Sequence, residues 1–79
     1  MPRYYFPSWD GDTFFPDHRG VEYDSFEQAR TAALRSLGEM ALYSLPRSPK
    51  ERILKVQVKD GGDDPLVELR LVFGSIDGT

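Results

Sequence analysis

Hydrophobic and polar positions divide the chain into a short aromatic-rich start, a long helical period and two alternating strands. Arg3 to Trp9 reads as a first strand. Asp10-Gly11-Asp12 follows, and Asp-Gly between extended runs is a hairpin signal, with Thr13-Phe14-Phe15 returning until Pro16. Pro7 cannot donate to a ladder, so the first strand is expected to lie at an edge or to bulge there. Asp17 to Gly20 forms a polar turn, and Val21-Glu22-Tyr23 leads out of it. Asp24, with Glu27 three positions on, predicts an N-cap and a helix from about Ser25 to Leu45. Phe26, Ala29, Ala33, Leu37, Met40, Ala41 and Ser44 share one face, with Leu34 and Leu45 on its flank. Gln28, Thr31, Arg35 and Glu39 face water, as does Gly38, which costs about 1 kcal/mol against alanine. Pro46 ends the helix, because the residue before a proline is pushed out of the α region.

Beyond a basic loop, Arg47 to Lys50, a third strand from Arg52 to Lys59 alternates cleanly. Leu54, Val56 and Val58 point one way; Lys55, Gln57 and Lys59 point the other. Asp60 to Asp64 forms a hairpin loop, and a fourth strand from Leu66 to Phe73 turns Val67, Leu69, Leu71 and Phe73 inward. The expected architecture is α+β, ordered ββαββ: a four-stranded, mostly antiparallel sheet with one helix packed on one face. Tyr4, Phe6 and Phe14 are expected on the helix side. The domain spans 1–73, and 74–79 form a small polar tail expected to fray.

Composition narrows the function classes. With 79 residues the ceiling is one small domain. The chain has no cysteine, which removes disulfide scaffolds, thiolate zinc sites and cysteine nucleophiles. No apolar run approaches the ~20 residues of a membrane-spanning helix and no leader-like segment stands out, so a cytoplasmic module is expected. A net charge of −3 argues against a general nucleic-acid binder.

Pro2-Arg3-Tyr4-Tyr5-Phe6, Asp10-Gly11-Asp12, Asp17 with Gly20-Val21-Glu22, Ala29-Arg30 and Ala32-Ala33-Leu34 stand in an order that resembles a family of short bacterial proteins. Val56 and Val58 with Asp60-Gly61, then Leu69, Leu71 and Phe73, continue the match from Pro2 to Phe73. It is the family of the domain of unknown function 6894. The chain departs from it at His18 and Arg19, where acidic residues are usual, and at Pro7-Ser8-Trp9, where a proline-free strand is usual. The resemblance implies no activity, cofactor or catalytic residue.

Candidate chemistry is sparse. Asp10, Asp12, Asp60, Asp63 and Asp64 could ligate a hard cation, but Phe14 stands where an EF-hand loop needs a ligand, and tight turns call for Asp and Gly in their own right. His18 lacks any triad or nucleophile-elbow context, and Glu27 and Glu39 lie on the wet side of the helix. Arg47, Lys50, Arg52, Lys55 and Lys59 form the one basic cluster, which could serve a nucleic-acid-linked, antitoxin-like regulator. Outward Glu68 can pair with the lysines instead. One helix cannot cover both faces of a sheet, so Tyr5, Pro7, Trp9, Phe15, Ile53, Leu66 and Val72 are expected on the uncovered face. The expectation is a protein-association module, not an enzyme, without metal or cofactor. It would associate with a second copy as a homodimer, or with another protein, through Tyr5, Trp9, Phe15, Ile53 and Val72, or through an edge strand.

Overall fold

A proline without an N–H interrupts the first extended segment, as the chemistry of that residue requires. The computed structural model, which describes residues 2–44 and 51–74, places β1 at Arg3–Tyr4 and β2 at Ser8–Asp10. Strand β3 (Thr13–Phe15) returns along β2, and β4 (Val21–Glu22) pairs with β1. Helix α1 (Phe26–Ser44) is followed by β5 (Arg52–Val58) and β6 (Val67–Phe73). The four-stranded antiparallel sheet is ordered β3-β2-β5-β6, and β1-β4 form a separate two-stranded ribbon. That ribbon is the addition to the expected ββαββ pattern, made possible by the break at Pro7. The interruption is local: Tyr5 and Lys59 exchange both backbone bonds, and the Pro7 carbonyl accepts the Gln57 N–H at 2.9 Å.

The helix is capped one residue later than predicted, at Ser25, and starts at Phe26. Ser25 Oγ, not Asp24, accepts the Gln28 N–H at 3.2 Å, while Gln28 Oε1 accepts the Asp24 N–H at 3.0 Å. Adjacent Asp and Ser are equally good caps, and the Ser25–Gln28 spacing satisfies two donors at once. Leu45 and Pro46, expected at the helix end, and Arg47 and Lys50 lie outside the described residues, as do residues 75–79 of the expected tail.

The predicted helical face is the one that packs. Ala29 and Ala33 are fully buried and Leu37 nearly so, with Phe26, Met40 and Ala41 packed at the margins. Two alanines one turn apart bring α1 close to β5, where Leu54, Val56 and Val58 complete the core with Tyr4. Gly38 sits on the exposed side, and a Cβ there would meet nothing within 4 Å. Gly38→Ala is therefore expected to stabilise the fold by about 0.5–1 kcal/mol. A thermal melt should rise by roughly 4 °C, and an unchanged or lower midpoint would contradict this placement.

One facial assignment is corrected. The pairing Asp10↔Thr13 leaves a two-residue loop, Gly11-Asp12, with Gly11 at φ 60°. Trp9 therefore faces Phe14, and Ser8 faces Phe15. Since cross-strand partners share a face, Phe14 lies on the uncovered side and Phe15 on the helix side, the reverse of the expectation. A one-residue change in loop length exchanges two adjacent aromatics.

Candidate interaction surface

The uncovered face is built from rows that the register defines. Phe14, Trp9, Lys55 and Arg70 lie side by side across all four strands. The Trp9 ring lies against Phe14, centroids 4.8 Å apart, and Lys55 Nζ sits 5.0 Å from its centroid. Lys55 is thereby held on an aromatic face in a cation–π contact. One row toward the end of the sheet, Ile53 pairs with Val72, and these apolar side chains are 47% and 71% exposed. One row the other way, Gln57 Nε2 donates to Glu68 Oε1 at 2.9 Å, and Arg70 Nε donates to Glu68 Oε2 at 2.5 Å. Glu68 thus takes its directly opposed neighbour Gln57 and its strand neighbour Arg70 as hydrogen-bonding partners, rather than the lysines expected. Both bonds, the Gln57 amide first, hold its carboxyl below the usual glutamate range.

Tyr5 and Trp9 are partly buried because they line a shallow cleft of about 510 Å³ with Pro7, Phe14, His18 and Lys59. Asp17 forms one wall of it. Asp17 Oδ2 accepts the Phe6 N–H, and Oδ1 accepts the N–H groups of Arg19 and Gly20, each at 3.0 Å. Burial pushes the Asp17 carboxyl up, but the three backbone donors from Gly20, Phe6 and Arg19, helped by His18, outweigh it and leave it below the ordinary aspartate value. This hub was missed in the sequence. Its local half, an Asp bonding the N–H two residues on, is a recognisable turn signature; its bond to Phe6 is long-range.

The remaining polar candidates are placed as structural links. Asp10, expected as a turn residue, accepts the Ser44 hydroxyl and the Arg52 guanidinium, both at 2.6 Å, tying the end of α1 to β2 and β5. The Ser44 bond first, then Arg52, keeps its carboxyl low. Arg52 is therefore engaged by Asp10 and Lys55 by Trp9, so two of the three cluster residues that the structure describes hold structural contacts. Asp60 accepts the Gly62 N–H at 3.3 Å, as a turn residue does. Among the described residues no group of three or more His, Cys, Asp or Glu side chains comes together around a metal-sized space.

Phe15 lies apart from Tyr5, Trp9, Ile53 and Val72. It lines a groove of about 460 Å³ on the helix side, between the β2–β3 hairpin and Met40 and Tyr43 of α1. The helix covers β5 and β6, so the hairpin reaches past it. No helix among the described residues is long and apolar enough to cross a membrane.

Comparison with known proteins yields no match among curated proteins and none among solved structures. A family model described as a domain of unknown function (DUF6894) matches residues 3–72, from β1 to Val72 on the uncovered face. The match takes in the ribbon, the helix and all four strands of the main sheet, and the chain belongs to the DUF6894 family.

Proposed function

We propose that the protein works by association, in the first instance with a second copy of itself, and not by catalysis. The observation that carries this reading is the border of the sheet at β6. This seven-residue strand has no strand beyond it among the described residues, and the apolar pair Ile53–Val72 stands exposed beside it. A long unpaired edge next to exposed apolar side chains is the arrangement that pairing with another chain satisfies. Tyr5, Trp9 and Phe14 extend the aromatic surface toward the opposite border. Three carboxylates are also unsuited to the role of general acid. Asp10, Asp17 and Glu68 are all held below their ordinary values by structural partners. A general acid needs the opposite shift.

Sedimentation equilibrium of the wild type from micromolar to millimolar concentration is the test. The mass is expected to climb with concentration from 9.0 kDa toward twice that value. A fixed 9.0 kDa across the range would overturn self-association.

A further inference from the structure

We propose that two copies join β6 to β6, antiparallel, about a two-fold axis at Leu69; this rests on the self-association reading and specifies its register. The hydrogen-bonding side of each residue follows from the ladder. Gln57 donates to Pro7, and Lys59 exchanges both bonds with Tyr5, so the odd positions of β5 bond toward the first segment. Alternation turns the even positions of β5 toward β6, where their partners are Val67, Leu69, Leu71 and Phe73. The N–H and C=O groups of Glu68, Arg70 and Val72 are thereby aimed at the open edge.

Side-chain faces restrict the register further. Opposed residues must share a face, so the axis must pass through a residue rather than between two. An axis at Leu69 sets Glu68 against Arg70 of the second copy twice and Val67 against Leu71 twice. Leu69 meets itself, and the ladder ends at Val67, where the Leu66 N–H turns back to the Val58 carbonyl at 2.7 Å. Each row then carries opposite charges or two apolar groups. On the uncovered face the four charges alternate in sign, so each Glu68 lies between its own Arg70 and that of the second copy. Other axes lose this match. At Arg70 two guanidinium groups meet and Glu68 faces Val72. At Glu68 two carboxylates meet. At Leu71 Arg70 faces Val72 and Glu68 faces Gly74. Like charges directly opposed are destabilising, and opposed charges favourable, in cross-strand pairs.

The register is tested by crosslinking and by charge exchange. The chain has no cysteine, so Leu69→Cys, Glu68→Cys and Arg70→Cys report single sites. Leu69 meets itself in a non-hydrogen-bonded pair, where Cα atoms approach to about 4.5 Å, within disulfide range. Under mild oxidation Leu69→Cys is expected to give the covalent dimer, with little from the other two. Glu68→Arg and Arg70→Glu alone should each weaken the dimer about tenfold or more, because each opposes like charges twice. An equimolar mixture should recover a mixed dimer, since every opposed pair is again plus against minus. Circular dichroism checks that each variant is folded, and Leu69→Cys decides the register if a charge variant is not. A wild-type dimer in which Arg70→Cys or Glu68→Cys crosslinks better than Leu69→Cys would overturn the register while leaving self-association standing. A wild type that stays monomeric would overturn both.

Discussion

Alanine at Gly20 is expected to destabilise the domain by about 3 kcal/mol or more, a large share of the roughly 4–12 kcal/mol available to a chain of this size. Gly20 has φ 71°, a region that costs other residues about 1–2 kcal/mol. The conformational cost is the smaller part. A Cβ at this position would lie 2.8 Å from the Tyr4 carbonyl oxygen and 2.9 Å from both Arg3 Cγ and Tyr5 Cε2. The nearest of these is backbone, so β1 itself must move, and Tyr4 of β1 is a core residue, 7% exposed. Gly20 also donates to Asp17, and its carbonyl accepts from Arg3, so displacement loosens the turn and the ribbon together. Gly11 supplies the control. It has φ 60°, but its nearest neighbour is an Arg52 nitrogen at 4.0 Å, so Gly11→Ala bears conformational strain alone. Urea unfolding of both variants measures the difference. A Gly20→Ala loss no greater than that of Gly11→Ala would show that the close approach to β1 carries no weight.

These contacts explain why parts of the fold were legible in the sequence and others were not. The β5–β6 hairpin was legible because seven consecutive pairs keep a period of two, with Leu54, Val56 and Val58 opposite Leu71, Leu69 and Val67. The helix was legible because Ala29, Ala33 and Leu37 repeat every fourth residue on one face. Ile53, Val72, Trp9 and Tyr5 fall on the uncovered face by the same alternation. Phe14 and Phe15 could not be told apart, because two adjacent aromatics fit either register and only the length of the Gly11-Asp12 loop decides. The roles of Asp10 and Asp17 were hidden for a different reason. Asp10 meets Ser44 and Arg52 from far along the chain, and Asp17 meets Phe6 across the hairpin. Local pattern names such residues as turn formers, and tertiary partners make them links. The candidate surface was thus readable wherever strand alternation alone determined it, and unreadable wherever a loop length set the register or a side chain crossed from one element to another.

Asp17→Ala is expected to be the second costly change, and its cost is expected to depend on pH. The carboxylate satisfies the N–H groups of Phe6, Arg19 and Gly20, and removing it leaves three donors without that acceptor. Hydrogen bonds to a charged group contribute about 1.5–3 kcal/mol each, and the three share one acceptor, so a loss of about 2–4 kcal/mol at neutral pH follows. Because folding lowers the Asp17 pKa below its ordinary 3.8, the unfolded chain binds the proton more readily. The stabilisation is therefore complete above the unfolded value and fades as pH falls through the lower folded one. Asp10 and Glu68 have the same sign, so the wild type should lose stability progressively on acidification below about pH 4.5. The gap between wild type and Asp17→Ala should narrow over that interval, since protonation weakens in the wild type what the variant already lacks. Urea unfolding of both proteins at pH 7 and near pH 3 reads this directly. An equal gap at the two pH values would mean that Asp17 acts by its shape and not its charge. A gap that narrows would identify the negative charge as the element that holds the turn to the β1–β2 segment.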